Sequence, residues 1–310
     1  MKEIPLVSIC CISYNHEPYI KDALNGFLSQ KTTFPFEIVI SDDCSKDNTH
    51  KIIKDYADKH PDIFRNVSSS HNIGSSKNFI YVQECAKGKY IALCEGDDYW
   101  TDPLKLQKQI DILEADESLM ACCTNSSVVD EQGNVLEKRW AKPIVPNSIE
   151  GKYTLRDFFN QGHTYPTASI VFRRSHFDEI CEKFQKTQNP YLGDWTLWIA
   201  ILCFGDMYYL DEVTCAYRIN PTSVTHGNVD ARRLGLAKAN FKIIPAVASI
   251  LPEDYKDIKE NLTKETAWLW FNLANAYKHL HQYLKMAGCL LICGLKDPKL
   301  LISKLKNRNK

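Results

Sequence analysis

The order of apolar runs and helical repeats in this 310-residue chain predicts an α/β fold: a mostly parallel sheet flanked by helices, with a helical extension at the C-terminus. Three observations carry that expectation. Residues 6–13, 36–41 and 90–94 are short runs that are almost wholly apolar, the composition of strands covered on both faces. Between them lie segments of roughly ten to fifteen residues with helical apolar spacing, the mark of right-handed βαβ units. Beyond about residue 231 only helical spacing remains, so a sheet domain over 1–230 and a helical region over 231–310 are expected.

Residues 6–13 (LVSICCIS) read as the first strand, and Tyr14-Asn15-His16 as the turn past its carboxyl end. Pro18 suits the first turn of the next helix, where Ile20, Ala23, Leu24, Phe27 and Leu28 repeat at helical spacing up to Gln30. Residues 36–41 (FEIVIS) form the second strand, which runs into Asp42 and Asp43. Asp47 is placed to cap a helix bearing Ile52, Ile53, Tyr56 and Ala57 that stops at His60-Pro61. A short strand near 64–69 leads to a polar loop at 71–78, which opens a helix running to about Ala86. After the central strand at 90–94, Pro103 begins a helix with Leu104, Leu106, Ile110 and Leu113. One more strand is expected at 119–129, before a turn at 130–134; the stretch to about 130 would be one half of the sheet domain and 131–230 the other.

The chemistry concentrates where the central strand ends. Glu95, Asp97 and Asp98 follow residues 90–94 directly, and Gly96 lets the backbone turn among them. In an open α/β sheet the ligand site lies just beyond the carboxyl ends of the strands, so these carboxylates would crowd one point. A divalent cation relieves their repulsion, and hard oxygen ligands suit Mg²⁺ or Mn²⁺ better than zinc. Taken alone, the triplet is equally an acidic strand end on a solvated turn.

Five pieces in a fixed order add context: SYN at 13–15, SDDCSKDNT at 41–49, NIGSSKN at 72–78, GKYIALCEGDD at 88–98 and GDW at 193–195. In that order they resemble glycosyltransferase family 2, inverting enzymes of the GT-A fold, over about residues 4–226. The resemblance implies that Tyr14 flanks a nucleotide base, that Asp42 and Asp43 contact base and ribose, and that Lys77 faces a diphosphate. It implies a metal held by Glu95, Asp97 and Asp98, with Asp97 foremost, and Asp194 as the base that deprotonates an acceptor hydroxyl. The stretch 217–226 resembles a family loop that closes over the diphosphate, where Arg218 and His226 would supply positive charge or a metal contact. Two departures stand out: Glu95 replaces the usual aspartate, and Gly193 precedes Asp194 where a glutamate is common. Each residue also has an ordinary reading: a core tyrosine, an exposed helix lysine, a helix-capping aspartate, a solvated loop histidine.

The reaction implied is transfer of a hexosyl or N-acetylhexosaminyl unit from a nucleotide diphosphate-sugar, UDP-linked, to a glycan or lipid-linked acceptor in surface polysaccharide or glycolipid synthesis. The processive Q-x-x-R-W signature is missing, which points to one sugar per encounter. Two other readings stay open. One is a non-catalytic nucleotide-sugar or glycan-binding protein; the other is a metal-dependent nucleotidyltransferase, for which SYNHEPYI lacks the glycine-rich basic loop.

Composition sets the remaining bounds. Lys and Arg balance Asp and Glu at 38 each, so no overall field draws the chain to nucleic acid. Twelve cysteines lie mostly in apolar segments with no Cys-x-x-Cys pair, as expected for reduced core residues rather than disulfides or zinc ligands. The N-terminus lacks a signal-peptide pattern, and a cytoplasmic protein is expected. The apolar run at 286–295 falls well short of the roughly 20 residues that span a bilayer. Because 286–310 ends in lysines, it is expected either to touch the inner face of a membrane or to pack on the catalytic domain or a second copy in a homodimer.

Overall fold

The computed structural model describes residues 4–140, 149–161, 166–186, 193–220, 229–264 and 266–306. The chain divides into two compact units, one of residues 1–185 and 192–219, the other of residues 186–191 and 220–310. The division therefore falls at 219/220, where the sequence pattern suggested 230/231.

In the first unit, β1 (Val7–Ser13), β2 (Phe36–Asp42), β3 (Phe64–Asn66) and β4 (Tyr90–Leu93) pair in parallel in the spatial order β3-β2-β1-β4. Beyond β4 the sheet is mixed. It continues through β9 (Val171–Arg173) and β6 (Leu119–Val129) to β10 (Asp206–Arg218) and β5 (Tyr99–Trp100), with β7 (Val135–Glu137) beside β6 and β8 (Gly151–Tyr153) beside β10. β9 runs antiparallel to both β4 and β6, and β6 runs parallel to β10. β4, β6 and β10 thus point the same way, and their carboxyl ends share an edge with those of β1 and β2.

The helices of this unit are α1 (Ile20–Leu28), α2 (Thr49–Lys59), α3 (Ser75–Glu84), α4 (Lys105–Ala115), α5 (Leu155–Gln161), α6 (Phe177–Lys186) and α7 (Asp194–Leu202). α1 buries Ile20, Ala23, Leu24 and Phe27, the i, i+3, i+4, i+7 face that its sequence dictates. Phe27 meets Trp100 edge-on, ring centroids 5.0 Å apart, an arrangement worth about 0.5–1.5 kcal/mol beyond the area buried. Gly26 permits this approach, because a Cβ there would lie 2.8 Å from the Trp100 carbonyl oxygen. α4 carries an unexpected residue into the interior: Lys105 is wholly buried, its Nζ donates to Gln109 Oε1 at 2.5 Å, and it lies over the Trp100 ring. Loss of water pushes that amine below its ordinary pKa.

β10 is the element the sequence concealed. Its thirteen residues do not alternate cleanly, because the pairing with β6 slips between Leu210 and Val213 and again between Val213 and Cys215. Tyr217 and Arg218, read from sequence as the start of a loop, are the last two residues of this strand.

The second unit contains α8 (Val229–Ile250), α9 (Lys256–Lys264), α10 (Thr266–His279), α11 (Tyr283–Lys296) and α12 (Pro298–Lys306). Ala237, Leu273, Ala274, Ala276 and Cys289 form its core, with Phe241 and Trp270 packed against them. Among the described residues no helix is long and apolar enough to cross a membrane. All twelve cysteines are free thiols.

Candidate active site

The site is built from the carboxyl ends of β1, β2, β4 and β10. The β4 end folds tightly against the β1 end: the Gly96 amide donates to the Ile12 carbonyl at 2.9 Å. A Cβ on Gly96 would lie 2.8 Å from Ile20 Cδ1 and 3.0 Å from both His16 Nδ1 and Ser13 Cβ, so only glycine fits. This turn brings Glu95, Asp97 and Asp98 to one place. Asp97 and Asp98 are nearly buried, while Glu95 keeps a partial opening to solvent.

The electrostatics of that crowd are unfavourable without a cation. Loss of water, then Asp97 and then Asp194 push the Glu95 carboxyl up to about 8. Burial, then Asp97 and Glu95, push Asp98 well above the carboxylate range, against the lowering effect of Arg218. Asp194 therefore lies within electrostatic reach of the strand-end cluster, although about a hundred residues of chain separate them. It is the first residue of α7, exposed, and its Oδ1 accepts the Trp195 amide at 2.7 Å.

Arg218 does something other than what the sequence suggested. The guanidinium expected at the diphosphate is 2% exposed and committed to protein acceptors. Its Nε donates to the Asp97 carbonyl at 2.9 Å, Nη1 to the Glu131 carbonyl at 2.8 Å and Nη2 to Asp22 Oδ2 at 2.7 Å, with the rings of Tyr19 and Tyr99 near its plane. The Arg218 amide donates to Asp98 Oδ1 at 2.8 Å. Arg218 thus ties β10, α1 and the hairpin after β6 to the acidic turn, as a buried strut that orients Asp97 and Asp98. Its burial follows from its place at the end of a strand paired inside the sheet, not on a loop.

The β2 end is equally committed. Asp42 is fully buried: Oδ1 accepts the Ser13 hydroxyl at 3.1 Å, Oδ2 accepts the Ser45 amide at 3.0 Å, and His50 Nδ1 is 3.8 Å from Oδ2. Through these bonds the carboxylate shapes the loop that follows β2. Asp43, 3% exposed, accepts the Ile73 amide at 2.7 Å and the Gly74 amide at 3.0 Å, and its carbonyl accepts Asn72 Nδ2. These bonds hold the 72–74 loop across the β2 end. Gly74, at φ +86°, supplies the backbone shape the loop needs. Asn78, on the same segment, is buried against Ser41.

The other expected residues lie apart from these networks. Tyr14 is 41% exposed just past β1, and Lys77 is exposed on the first turn of α3. His226 lies outside the described residues. His16 is the residue that sequence reasoning missed, having treated it as part of a turn. Its Nε2 is 3.9 Å from Asp97 Oδ2, and its Nδ1 is buried without a hydrogen-bond partner. An isolated histidine on a turn carries no periodic signal; only the packing against Gly96 reveals it.

The residues fit a divalent cation by charge, since Asp97 pushes both Glu95 and Asp98 towards the protonated form and a cation beside them would offset that repulsion. Among the described residues no three His, Cys, Asp or Glu side chains form a ready coordination cage. Mg²⁺ and Mn²⁺ commonly take one or two carboxylates and complete their shell with water and phosphate oxygens, so no such cage is required.

Comparison with known proteins bears on this arrangement. A family model described as Glycosyl transferase family 2 matches residues 8–181, more than half of the chain. The chain belongs to glycosyl transferase family 2. An uncharacterised protein of Mycobacterium tuberculosis is 36% identical over 232 residues, covering 73% of this chain and 62% of the relative's length. The chain thus spans less than two thirds of that relative. Among solved structures, S. aureus TarS residues 1–349 in complex with UDP-GlcNAc aligns with a TM-score of 0.56 at 17% identity, over 94% of this chain and 88% of TarS. The mannosyltransferase PcManGT from Pyrobaculum calidifontis, in complex with GDP-Man and Mn²⁺, aligns with a TM-score of 0.54 at 17% identity, over 99% of this chain and 80% of that one. At such identities the likeness establishes the fold: the α/β architecture is that of GT-A glycosyltransferases.

Proposed function

We propose that the protein is an inverting, metal-assisted glycosyltransferase. It moves one hexosyl or N-acetylhexosaminyl unit from a nucleotide diphosphate-sugar, UDP-linked, to a hydroxyl of a surface polysaccharide or glycolipid. One observation carries the reading: Asp194, the first residue of α7, lies within electrostatic reach of Glu95 at the end of β4. Family membership and the UDP-GlcNAc held by TarS support the donor class; the GDP-Man held by PcManGT marks the alternative base.

Asp97, with Glu95, would hold Mg²⁺ or Mn²⁺, and Asp98 would keep the turn in place through the Arg218 amide. When bound, the cation supplies Lewis-acid stabilisation of the departing diphosphate. Asp194 accepts the proton of the acceptor hydroxyl as that oxygen attacks the anomeric carbon from the face opposite the leaving group, which inverts configuration. Tyr14 is exposed to take a nucleobase, and Lys77 to face the diphosphate. Asp42 and Asp43 act indirectly, by holding the loops that wall the donor.

Transfer from UDP-sugars with Mn²⁺, measured beside donor-induced changes in Tm, tests the reading. General-base catalysis contributes about 10²–10⁴-fold, so Asp194→Asn should lose that much turnover while UDP still raises its Tm. Near-normal turnover in that variant would refute the assignment. A wild-type protein whose Tm responds to every UDP-sugar that it fails to turn over would instead favour a binding protein, the reading that Glu95 in the usual aspartate position keeps open.

A further inference from the structure

The second unit carries an exposed apolar face. α11 is apolar on two opposite sides. One side serves the bundle: Cys289 packs with Ala237, Leu273, Ala274 and Ala276, and Cys293 with Ala267 and Phe271. The other side is in water. Leu284, Leu291 and Leu295 are 92%, 66% and 77% exposed, and with exposed Gly288 they recur at i, i+4, i+7 and i+11, a single face of the helix. Ile302 on α12 is also exposed. A helix whose second face is leucine needs something apolar to cover it.

Charge selects the cover. α11 and α12 contain no Asp or Glu, while Lys285, Lys296, Lys299 and Lys304 are all exposed. The acid between the helices, Asp297, accepts the Leu300 amide at 2.9 Å through its Oδ1. A second copy laid on this face would set lysines against lysines with little acid to pair them. An anionic lipid surface answers both demands, apolar depth for the leucines and negative headgroups for the lysines. Fourteen residues of helix extend about 21 Å, short of the roughly 30 Å hydrocarbon core, so the helix would lie in the interface and not span it.

We propose that α11 and α12 form a docking surface for an anionic membrane, with Leu284, Leu291 and Leu295 entering the headgroup boundary. The proposal stands apart from the transfer reading, since its test involves no sugar. The full chain is floated with vesicles of phosphatidylcholine alone and of phosphatidylcholine mixed equally with phosphatidylglycerol. Flotation should require phosphatidylglycerol and weaken with salt. Leu291→Glu with Leu295→Glu should abolish it while leaving the thermal melt unchanged, because both side chains point into solvent. Lys285→Gln, Lys296→Gln and Lys299→Gln should each weaken it about fivefold, which decides the matter even if the leucine variant folds poorly. Equal flotation with both vesicle types, flotation with neither, or a sedimenting dimer that the leucine variant splits into monomers would overturn the proposal.

Discussion

The Glu95 carboxyl stands at the end of β4 beside Asp97 and within reach of Asp194. A carboxyl at a strand end is ordinarily ionised at neutral pH, yet burial, then Asp97 and Asp194, raise this one from its usual 4.5 to about 8. Between those values the folded chain binds a proton that the unfolded chain has released. The unfolded state then binds fewer protons, so stability falls as pH rises from about 4.5 towards 8 and levels off above. Glu95→Gln removes this dependence, so its Tm should fall less than that of the wild type between pH 5 and 8. Mn²⁺ should flatten the wild-type profile in the same way, because a bound cation favours the ionised form. Thermal melts across that range with and without Mn²⁺ check both outcomes. Parallel profiles for wild type and variant would mean that the Glu95 carboxyl is solvated and ionised, removing the electrostatic demand for a cation.

At the scale of elements, the parallel half was legible because its strands are continuous apolar runs and its helices keep one clean face: the register of β1 against β2 and β4 follows from those patterns. The 119–129 strand was read with its observed limits for the same reason. β10 was hidden because its bulges break the two-residue period that betrays a strand, and with it went the position of Arg218. The acidic turn was legible, but the partners of its members were not, since a carboxylate that shapes a loop and one that binds a ligand look alike in sequence. Asp42 and Asp43 illustrate this. The strut role of Arg218 makes a contrast between two substitutions. Arg218→Met strands the Asp97 and Glu131 carbonyls that it satisfies, while Asp130 keeps the Gly133 amide, and unsatisfied buried acceptors cost about 1–3 kcal/mol each. A loss of about 2–4 kcal/mol in denaturant unfolding is expected, allowing for partial rescue by water. Asp22→Asn removes the ion pair at an acid whose side chain is half exposed, and should cost under about 1 kcal/mol. Equal losses would mean that the ion pair, not the carbonyl network, holds the strand end.

Across the whole molecule, the thiols connect folding to the site. Twelve cysteines are free, yet only Cys44 is fully exposed, and Cys85 and Cys203 are intermediate. Buried thiols are held protonated as well as inaccessible: loss of water pushes Cys122 up to about 12 and Cys215 up to about 11. A thiol reagent under native conditions should therefore show one fast phase, lost in Cys44→Ser, with the buried thiols appearing only on unfolding. Reductant should leave the Tm unchanged, because no two of these cysteines are joined in the fold. Cys44 also sits directly after Asp43, at φ +62°, on the loop that the proposed donor would cover. UDP with Mn²⁺ should slow its fast phase, whereas a small sugar without the nucleotide should not. Labelling that is indifferent to UDP would place the nucleotide away from the β2 end, and with it the half of the site that Tyr14 and the 72–74 loop are proposed to enclose.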